Sequence, residues 1–278
     1  MTATTSPSLL DYAAYFIDLD GTVYLGKRPL PKVKETLQTL RSLGKRLLFL
    51  TNDASLRREH IAIKLQKMGI AVATEEIINP SLVAIRYLRQ HYPQAPLFVI
   101  GEGDLPEELA EAGLPLSQNP QRIQVVLVST DHHFSYRKLK IAFSAIRNGA
   151  ILLATNADRT YPNHRGEEVP DAGALIAAIE ACTAHPLDVL LGKPAPFMAE
   201  LALQTVALPP TQCLLIGDNP ETDIRMGKHA NIPTALVCSG IGKNSHFSAI
   251  AEHPDYTLNQ FADLLSSTVP HIPDGIVR

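Results

Sequence analysis

The stretch Phe16-Ile17-Asp18-Leu19-Asp20-Gly21-Thr22 decides how the chain is read, because an apolar run here delivers two aspartates to a glycine turn. Residues at i and i+2 of a strand project from the same face, so Asp18 and Asp20 start side by side, and Gly21 permits a sharp turn that exposes both. Two carboxylates with no adjacent lysine or arginine repel one another, which is costly unless a cation or a shared proton joins them. The pair reads as the nucleophile site of a phosphoryl transfer. Taken alone, the segment also fits a strand that runs into a polar surface turn.

Outward from this stretch, the bulk properties bound the kind of protein that carries it. A chain of 278 residues exceeds the usual single domain, so two domains, or one with a large insertion, are expected. Its 45% hydrophobic content is ample for a packed core. No run is long enough to span a membrane, and residues 1–9 lack the basic start and apolar stretch of a secretory signal. The expectation is a cytoplasmic protein with no membrane partner. A net charge of -3, with lysines and arginines scattered, gives no basic field, so no nucleic-acid partner is expected. Cys182, Cys213 and Cys238 form no Cys-x-x-Cys pair, which points to neither a disulfide framework nor a zinc site. They read as small apolar core residues.

Short β-rich runs alternate with helical patterns, predicting βα units and a mostly parallel sheet. Residues 15–19 and 46–50 read as buried strands. Between them lies a helix with Val33, Leu37, Leu40 and Leu43 at core spacing and Gly44 as its cap. A second helix over 57–68 ends at Gly69. The alternation returns after Pro186 with an apolar run at 188–191, a helix from Pro196, a strand at 213–216, a helix from Thr222 and a strand at 234–237. These two stretches read as halves of one sheet.

The middle region has its own elements, with strands at 97–100, 125–128 and 151–154 and helices at 136–147 and 172–181. Ser135 and Gly149 punctuate the first of those helices. Asn79-Pro80 and His185-Pro186 bracket the region as extended connectors. Residues 80–185 are therefore read as an inserted domain, and 1–79 with 186–278 as the core. A weak internal echo, Leu43-Gly44 to Thr51-Asn52 against Asn148-Gly149 to Thr155-Asn156, fits duplication and shared turn chemistry equally well.

Three further signals lie at strand ends, where open α/β sheets place their ligands. Thr51-Asn52 offers a hydroxyl and an amide for phosphate oxygens, though both are ordinary turn residues. Gly192-Lys193-Pro194 offers a lysine in a rigid turn. In Leu214-Leu215-Ile216-Gly217-Asp218-Asn219-Pro220-Glu221-Thr222-Asp223, a buried strand delivers Asp218, and Asp223 sits near a helix start, where acids are also common for dipole reasons.

In this order, Asp18-Leu19-Asp20-Gly21-Thr22, Thr51-Asn52, Lys193, and Gly217-Asp218 with Thr222-Asp223 resemble the four motifs of the haloacid dehalogenase superfamily, across nearly the whole chain. The run from Phe134-Ser135-Tyr136 through Gly149-Ala150 to Ala154-Thr155-Asn156-Ala157-Asp158 is similar to the α/β cap of its NagD-like, or p-nitrophenylphosphatase-like, branch. Insertion after the second motif also matches that branch.

The resemblance implies a Rossmann-like doubly wound parallel-sheet core with an inserted α/β cap, and a phosphatase mechanism consistent with the residues. Asp18 is the expected nucleophile, and Asp20 the acid that protonates the leaving oxygen and later deprotonates water. Mg²⁺ is the expected cofactor, held by Asp18 and Asp218 through side chains and by Asp20 through its carbonyl, with Asp223 behind them. Thr51 and Asn52 are expected to bind phosphoryl oxygens or to orient the nucleophile, and Lys193 to bind the phosphoryl group and stabilise the charge of the transition state. Asp20 also favours a phosphatase over a dehalogenase, because expelling an alkoxide needs a proton and expelling a halide does not. A large α/β cap argues against a mutase.

Candidate substrate contacts in the cap are Asp131, His132 and His133 in one loop, Asn156, Asp158 and Tyr161 in another, and Asp171 before a helix. His132-His133 has no third metal ligand at suitable spacing. The resemblance further implies a small phosphorylated metabolite as substrate, such as a sugar phosphate, glycerol phosphate, phosphoglycolate or nucleoside monophosphate, and a homodimer through the cap. A phosphotransferase to a sugar acceptor and a non-catalytic phosphometabolite sensor are the alternatives. The turn at 240–243 follows a strand and could line the crevice.

Overall fold

The computed structural model describes residues 8–162, 167–239 and 252–266, so the 240–243 turn lies outside it. Uniformly apolar runs become strands buried on both faces. β1 (Ala14–Asp18) is buried throughout, and a small antiparallel hairpin of β2 (Tyr24–Leu25) and β3 (Arg28–Pro29) follows its glycine turn. α1 (Val33–Ser42) buries Val33, Leu37 and Leu40, and β4 (Arg46–Leu50) comes next. Leu43, expected on the core face of that helix, is 51% exposed. It is the C-cap, its N–H bonded to the Thr39 carbonyl while the Gly44 N–H bonds that of Arg41, and the chain turns there instead of extending the buried stripe.

α2 (Arg58–Lys67) and β5 (Ile77–Ile78) lead to Asn79. Asn79 is extended, as a residue before proline should be, but Pro80 opens α3 (Pro80–His91) instead of a connector. Proline suits the first helical turn, where its missing N–H is not needed, and the Asn79 side chain accepts the Leu82 N–H at 3.0 Å.

Next come β6 (Leu97–Ile100), α4 (Leu105–Glu111), β7 (Val125–Val128), α5 (Tyr136–Arg147) and β8 (Ile151–Ala154). A hairpin of β9 (Thr160–Pro162) and β10 (Glu168–Pro170) precedes α6 (Ala172–Thr183) and β11 (Val189–Leu190). The chain continues through α7 (Phe197–Val206), β12 (Cys213–Gly217), α8 (Arg225–His229), β13 (Thr234–Val237) and β14 (Tyr256–Leu258).

Six strands form a parallel sheet in the order β14-β13-β12-β1-β4-β5. Four others form a second parallel sheet in the order β11-β8-β7-β6. The 188–191 run, read from sequence as part of the outer halves, belongs to this smaller sheet, with Val189 on Leu153 and Leu190 on Ala154. An apolar run announces a buried strand but not its neighbour.

The described residues pack into two units, one drawn from 1–51, 62–78 and 199–278, the other from 52–61 and 79–198. In the second unit, Phe98, Ile100, Val126, Val128, Leu152 and Ala154 of the sheet pack with Ala142, Ala145 and Ile146 of α5 and Ile176 and Ile179 of α6. Cys213 is buried, but Cys182 is exposed, contrary to the core reading, near the end of α6. Among the described residues, no helix is long and apolar enough to cross a membrane.

Candidate active site

From β1 the chain runs outward to β4 and β5, and later returns on the other side of β1 as β12. Such a reversal leaves a crevice at the carboxyl ends of the two central strands. Asp18 is the last residue of β1, and Asp218 follows β12 directly. Asp223 lies in the helical turn Pro220–Ile224 just beyond. All three acids are buried, and each offers a carboxylate oxygen within 4.8 Å of the others.

Two glycines allow this approach. Gly21 has φ +88°, and a Cβ there would run into the Asp218 carboxylate. A Cβ on Gly217 would likewise run into Asp223. One Asp223 oxygen is already engaged, accepting the Asn219 N–H at 3.2 Å. Carboxylates this close repel strongly unless a positive charge joins them. The buried, all-oxygen donor set fits a hard divalent cation such as Mg²⁺.

Asp20, expected beside Asp18, occupies a different environment. The strand stops at Asp18, the turn carries Asp20 to an exposed position, and its Oδ2 accepts the Tyr24 hydroxyl at 2.8 Å. Thr51, directly after β4, is buried, and its N–H donates to the Ile78 carbonyl at 3.2 Å.

The remaining predicted site residues lie in the second unit. Asn52 brackets the main chain of Lys193, accepting its N–H at 2.9 Å and donating to its carbonyl at 3.2 Å. The same amide donates to Asp158 at 3.1 Å, and Lys193 itself is buried. Asn156 donates to Asp171 at 2.9 Å, and Thr130 donates to the other oxygen of that acid. Asp171 also caps α6, bonding the Ala172 N–H. Burial pushes its carboxyl above the ordinary range, against the pull of those three donors.

His132 is held at three points. Its N–H donates to Glu102 at 2.8 Å, Nδ1 lies 2.5 Å from the other Glu102 oxygen, and Nε2 lies 2.7 Å from the Tyr161 hydroxyl. Asp131 accepts from Lys138 at 2.5 Å and from the His133 N–H at 2.9 Å. Burial, with Asp171, Glu102 and Asp53 nearby, raises the Tyr161 phenol. The sequence reading passed over Tyr24 and Glu102. Glu102, in a Gly101-Glu102-Gly103 loop after a strand, carried a positional signal; Tyr24 carried none.

A haloacid dehalogenase-like hydrolase profile matches residues 15–115, and a HAD-hydrolase-like profile matches residues 190–264. Sugar-phosphatase AraL of Bacillus subtilis is 35% identical over 91% of this chain and 92% of its own length. The crystal structure of a 4-nitrophenylphosphatase from Thermotoga maritima superposes with a TM-score of 0.86 at 28% identity, covering 92% of this chain and 97% of that one. A glycerol phosphate phosphatase from Mycobacterium tuberculosis, solved in complex with magnesium, superposes with a TM-score of 0.84 at 28% identity, covering 94% of this chain and 78% of that one. The chain belongs to the haloacid dehalogenase-like hydrolases. Within them it is a NagD-like phosphatase.

Proposed function

We propose that the protein hydrolyses phosphomonoesters of small metabolites through an aspartyl-phosphate on Asp18, with Mg²⁺ as cofactor. The observation that carries this reading is the buried Asp18, Asp218 and Asp223 cluster at the reversal of the larger sheet. Asp18 forms a bond to phosphorus while the ester P–O bond breaks, and the electron pair stays on the leaving oxygen. Asp20 gives that oxygen its proton. Asp20 then takes a proton from the water that attacks the aspartyl-phosphate, which releases phosphate and restores Asp18.

Asp18 and Asp218, with the main-chain carbonyl of Asp20, are the groups to hold the cation. Asp223, engaged with the Asn219 N–H, supports them from behind. A bound Mg²⁺ supplies charge neutralisation for the acids and the phosphoryl oxygens. The motif order supports Thr51 and Lys193 as groups that bind phosphoryl oxygens, and Asn52, whose amide is engaged with the Lys193 main chain and Asp158, as the residue that holds Lys193.

The names of two similar proteins, a sugar phosphatase and a glycerol phosphate phosphatase, support a small phosphorylated metabolite as substrate. Residues 80–185 are proposed as the cap that selects it, with His132, Asn156 and Asp158 as contacts and a cap-mediated homodimer as the assembly.

The test is phosphate release from a panel of sugar phosphates, glycerol phosphate, phosphoglycolate and nucleoside monophosphates, with Mg²⁺ and then with chelator. Release is expected to stop with chelator and return with added Mg²⁺. Asp18→Asn is expected to lower turnover by on the order of 10⁴-fold or more with the circular dichroism unchanged. Near wild-type turnover in that variant would remove Asp18 as nucleophile. Transfer to an added sugar in place of water would favour a phosphotransferase, and no release at all a sensor.

A further inference from the structure

Two hydrogen bonds in series reach Asp20. Lys64 Nζ lies 2.9 Å from the Tyr24 hydroxyl oxygen and 4.1 Å from the centroid of its ring. The Tyr24 hydroxyl in turn lies 2.8 Å from Asp20 Oδ2. An ammonium has only donors, so Lys64 donates to the phenol oxygen, and a phenol has a single proton to give the carboxylate. The direction of the series is therefore fixed, from Lys64 through Tyr24 to Asp20. Tyr24 is 2% exposed. Its N–H donates to the Leu19 carbonyl at 3.2 Å and its carbonyl accepts the Gly21 N–H at 2.8 Å, which fastens it to the turn that carries Asp20.

We propose that Tyr24, backed by Lys64, is a positioning residue that fixes which oxygen of Asp20 carries the transferable proton. It holds Oδ2 as the acceptor and assigns the proton to Oδ1, from which it passes to the leaving oxygen as the ester P–O bond breaks and its electron pair moves there. The inference rests on the reading of Asp20 as the acid. Without the Tyr24 hydroxyl the carboxyl group loses a bond that distinguishes its two oxygens, so a smaller share of encounters presents the proton on Oδ1.

A proton donor matters in proportion to the basicity of the group it helps to expel. p-Nitrophenolate leaves without a proton, whereas an alkoxide needs one. The experiment measures kcat/KM, which covers the steps through loss of the leaving group, for p-nitrophenyl phosphate and for the most active alkyl ester of the panel. The full chain is compared with Tyr24→Phe, Lys64→Met, Lys64→Arg and Asp20→Asn, each checked by its thermal unfolding midpoint.

Tyr24→Phe is expected to lower the alkyl value by about tenfold or more and the p-nitrophenyl value by less than about threefold. Lys64→Met should show the same preference with a smaller loss, and Lys64→Arg, which keeps a donor, should return toward wild type. Should Tyr24→Phe fail to fold, the two Lys64 variants decide the matter. Equal losses on both esters, or no loss on either, overturn the positioning role. Asp20→Asn separates the two layers: if it too shows no alkyl preference, or if the wild type cleaves no alkyl ester, the acid assignment fails. If Asp20→Asn shows that preference and Tyr24→Phe does not, only the role of Tyr24 and Lys64 fails.

Discussion

The two sheets are built alike and finish differently. Both are parallel, both have buried apolar central strands, and both hand the chain to polar residues at their carboxyl ends. In the larger sheet the strand order turns back at β1, whereas in the smaller one β6, β7, β8 and β11 follow each other in one direction. Neighbouring strands whose connections leave in opposite directions part their loops, and Asp18 and Asp218 meet at that parting. Where the order never reverses, the polar groups engage one another: Thr130 and Asn156 on Asp171, His132 between Glu102 and Tyr161, and Asp131 with Lys138. The larger sheet gathers acids at its reversal, and the smaller one sets donors against acceptors at its strand ends.

The largest effect that can break this comparison comes from paired glycine substitutions. Gly21 and Gly149 both have positive φ, +88° and +95°, but an added Cβ meets Asp218 at the first and nothing within 4 Å at the second. Gly21→Ala is expected to lower turnover by on the order of 10²-fold, because displacing the acid spoils reacting geometry. Gly149→Ala should cost about 1–2 kcal/mol of stability for the left-handed backbone and leave kcat near wild type. Similar losses of activity in the two would mean that the acid cluster tolerates displacement.

His132→Ala comes next. Removing the imidazole between Glu102 and Tyr161 is expected to change the ranking of the ester panel by about tenfold in kcat/KM while p-nitrophenyl phosphate stays within about twofold. A uniform fall in kcat across all esters would place His132 in the chemistry and erase the division of labour.

The smallest effect is in the pH dependence of stability, where the two units carry acids of opposite sign. Burial pushes Asp255 up, but Lys228 at 2.7 Å and the Thr234 amide and hydroxyl outweigh it and hold the carboxyl below the ordinary value of 3.8. A depressed value stabilises the fold above about 3.8 and loses that contribution as the pH falls through the folded value. The raised value of Asp171 does the reverse, so its penalty is present at neutral pH and is relieved as the pH falls through the raised value. Thermal midpoints recorded from neutral to acid pH should fall less steeply in Asp255→Asn and more steeply in Asp171→Asn than in the wild type. Parallel curves for all three proteins would remove both assignments.

Much of this was legible where the chain is well punctuated. The strands at 97–100, 125–128, 151–154 and 234–237 and the helix over 136–147 occupy the residues their patterns predict, and the Ser135 hydroxyl accepts the Lys138 N–H at 3.4 Å as a cap should. Short elements went unread, because two or three residues, as in β5, β9 and β14, have no period to detect. Pro80 misled because the same φ that suits an extended connector also suits a first helical turn. The motif order pointed to Asp18, Asp218 and Asp223, whose carboxylates lie together, and to Asp20, which the turn carries away from them. It could not announce Tyr24, whose hydroxyl meets Asp20 because the glycine turn folds back on itself, or Lys64, which arrives from a separate helix.

The bracket that Asn52 places on Lys193 has a consequence for inheritance. One side-chain amide pairs with both main-chain groups of a residue 141 positions away, as a neighbouring strand would, and so closes a long excursion of the chain at its base. Joining the ends of a long loop costs only logarithmically more as the loop grows, and here the clasp uses the peptide groups of Lys193 and leaves its side chain out of the fastening. Residues 62–78 of that excursion return to the first unit and give the larger sheet its β5, so the part free to lengthen or shorten behind the clasp is the stretch from Asn79 onward, where new tastes can be acquired without relearning the trade.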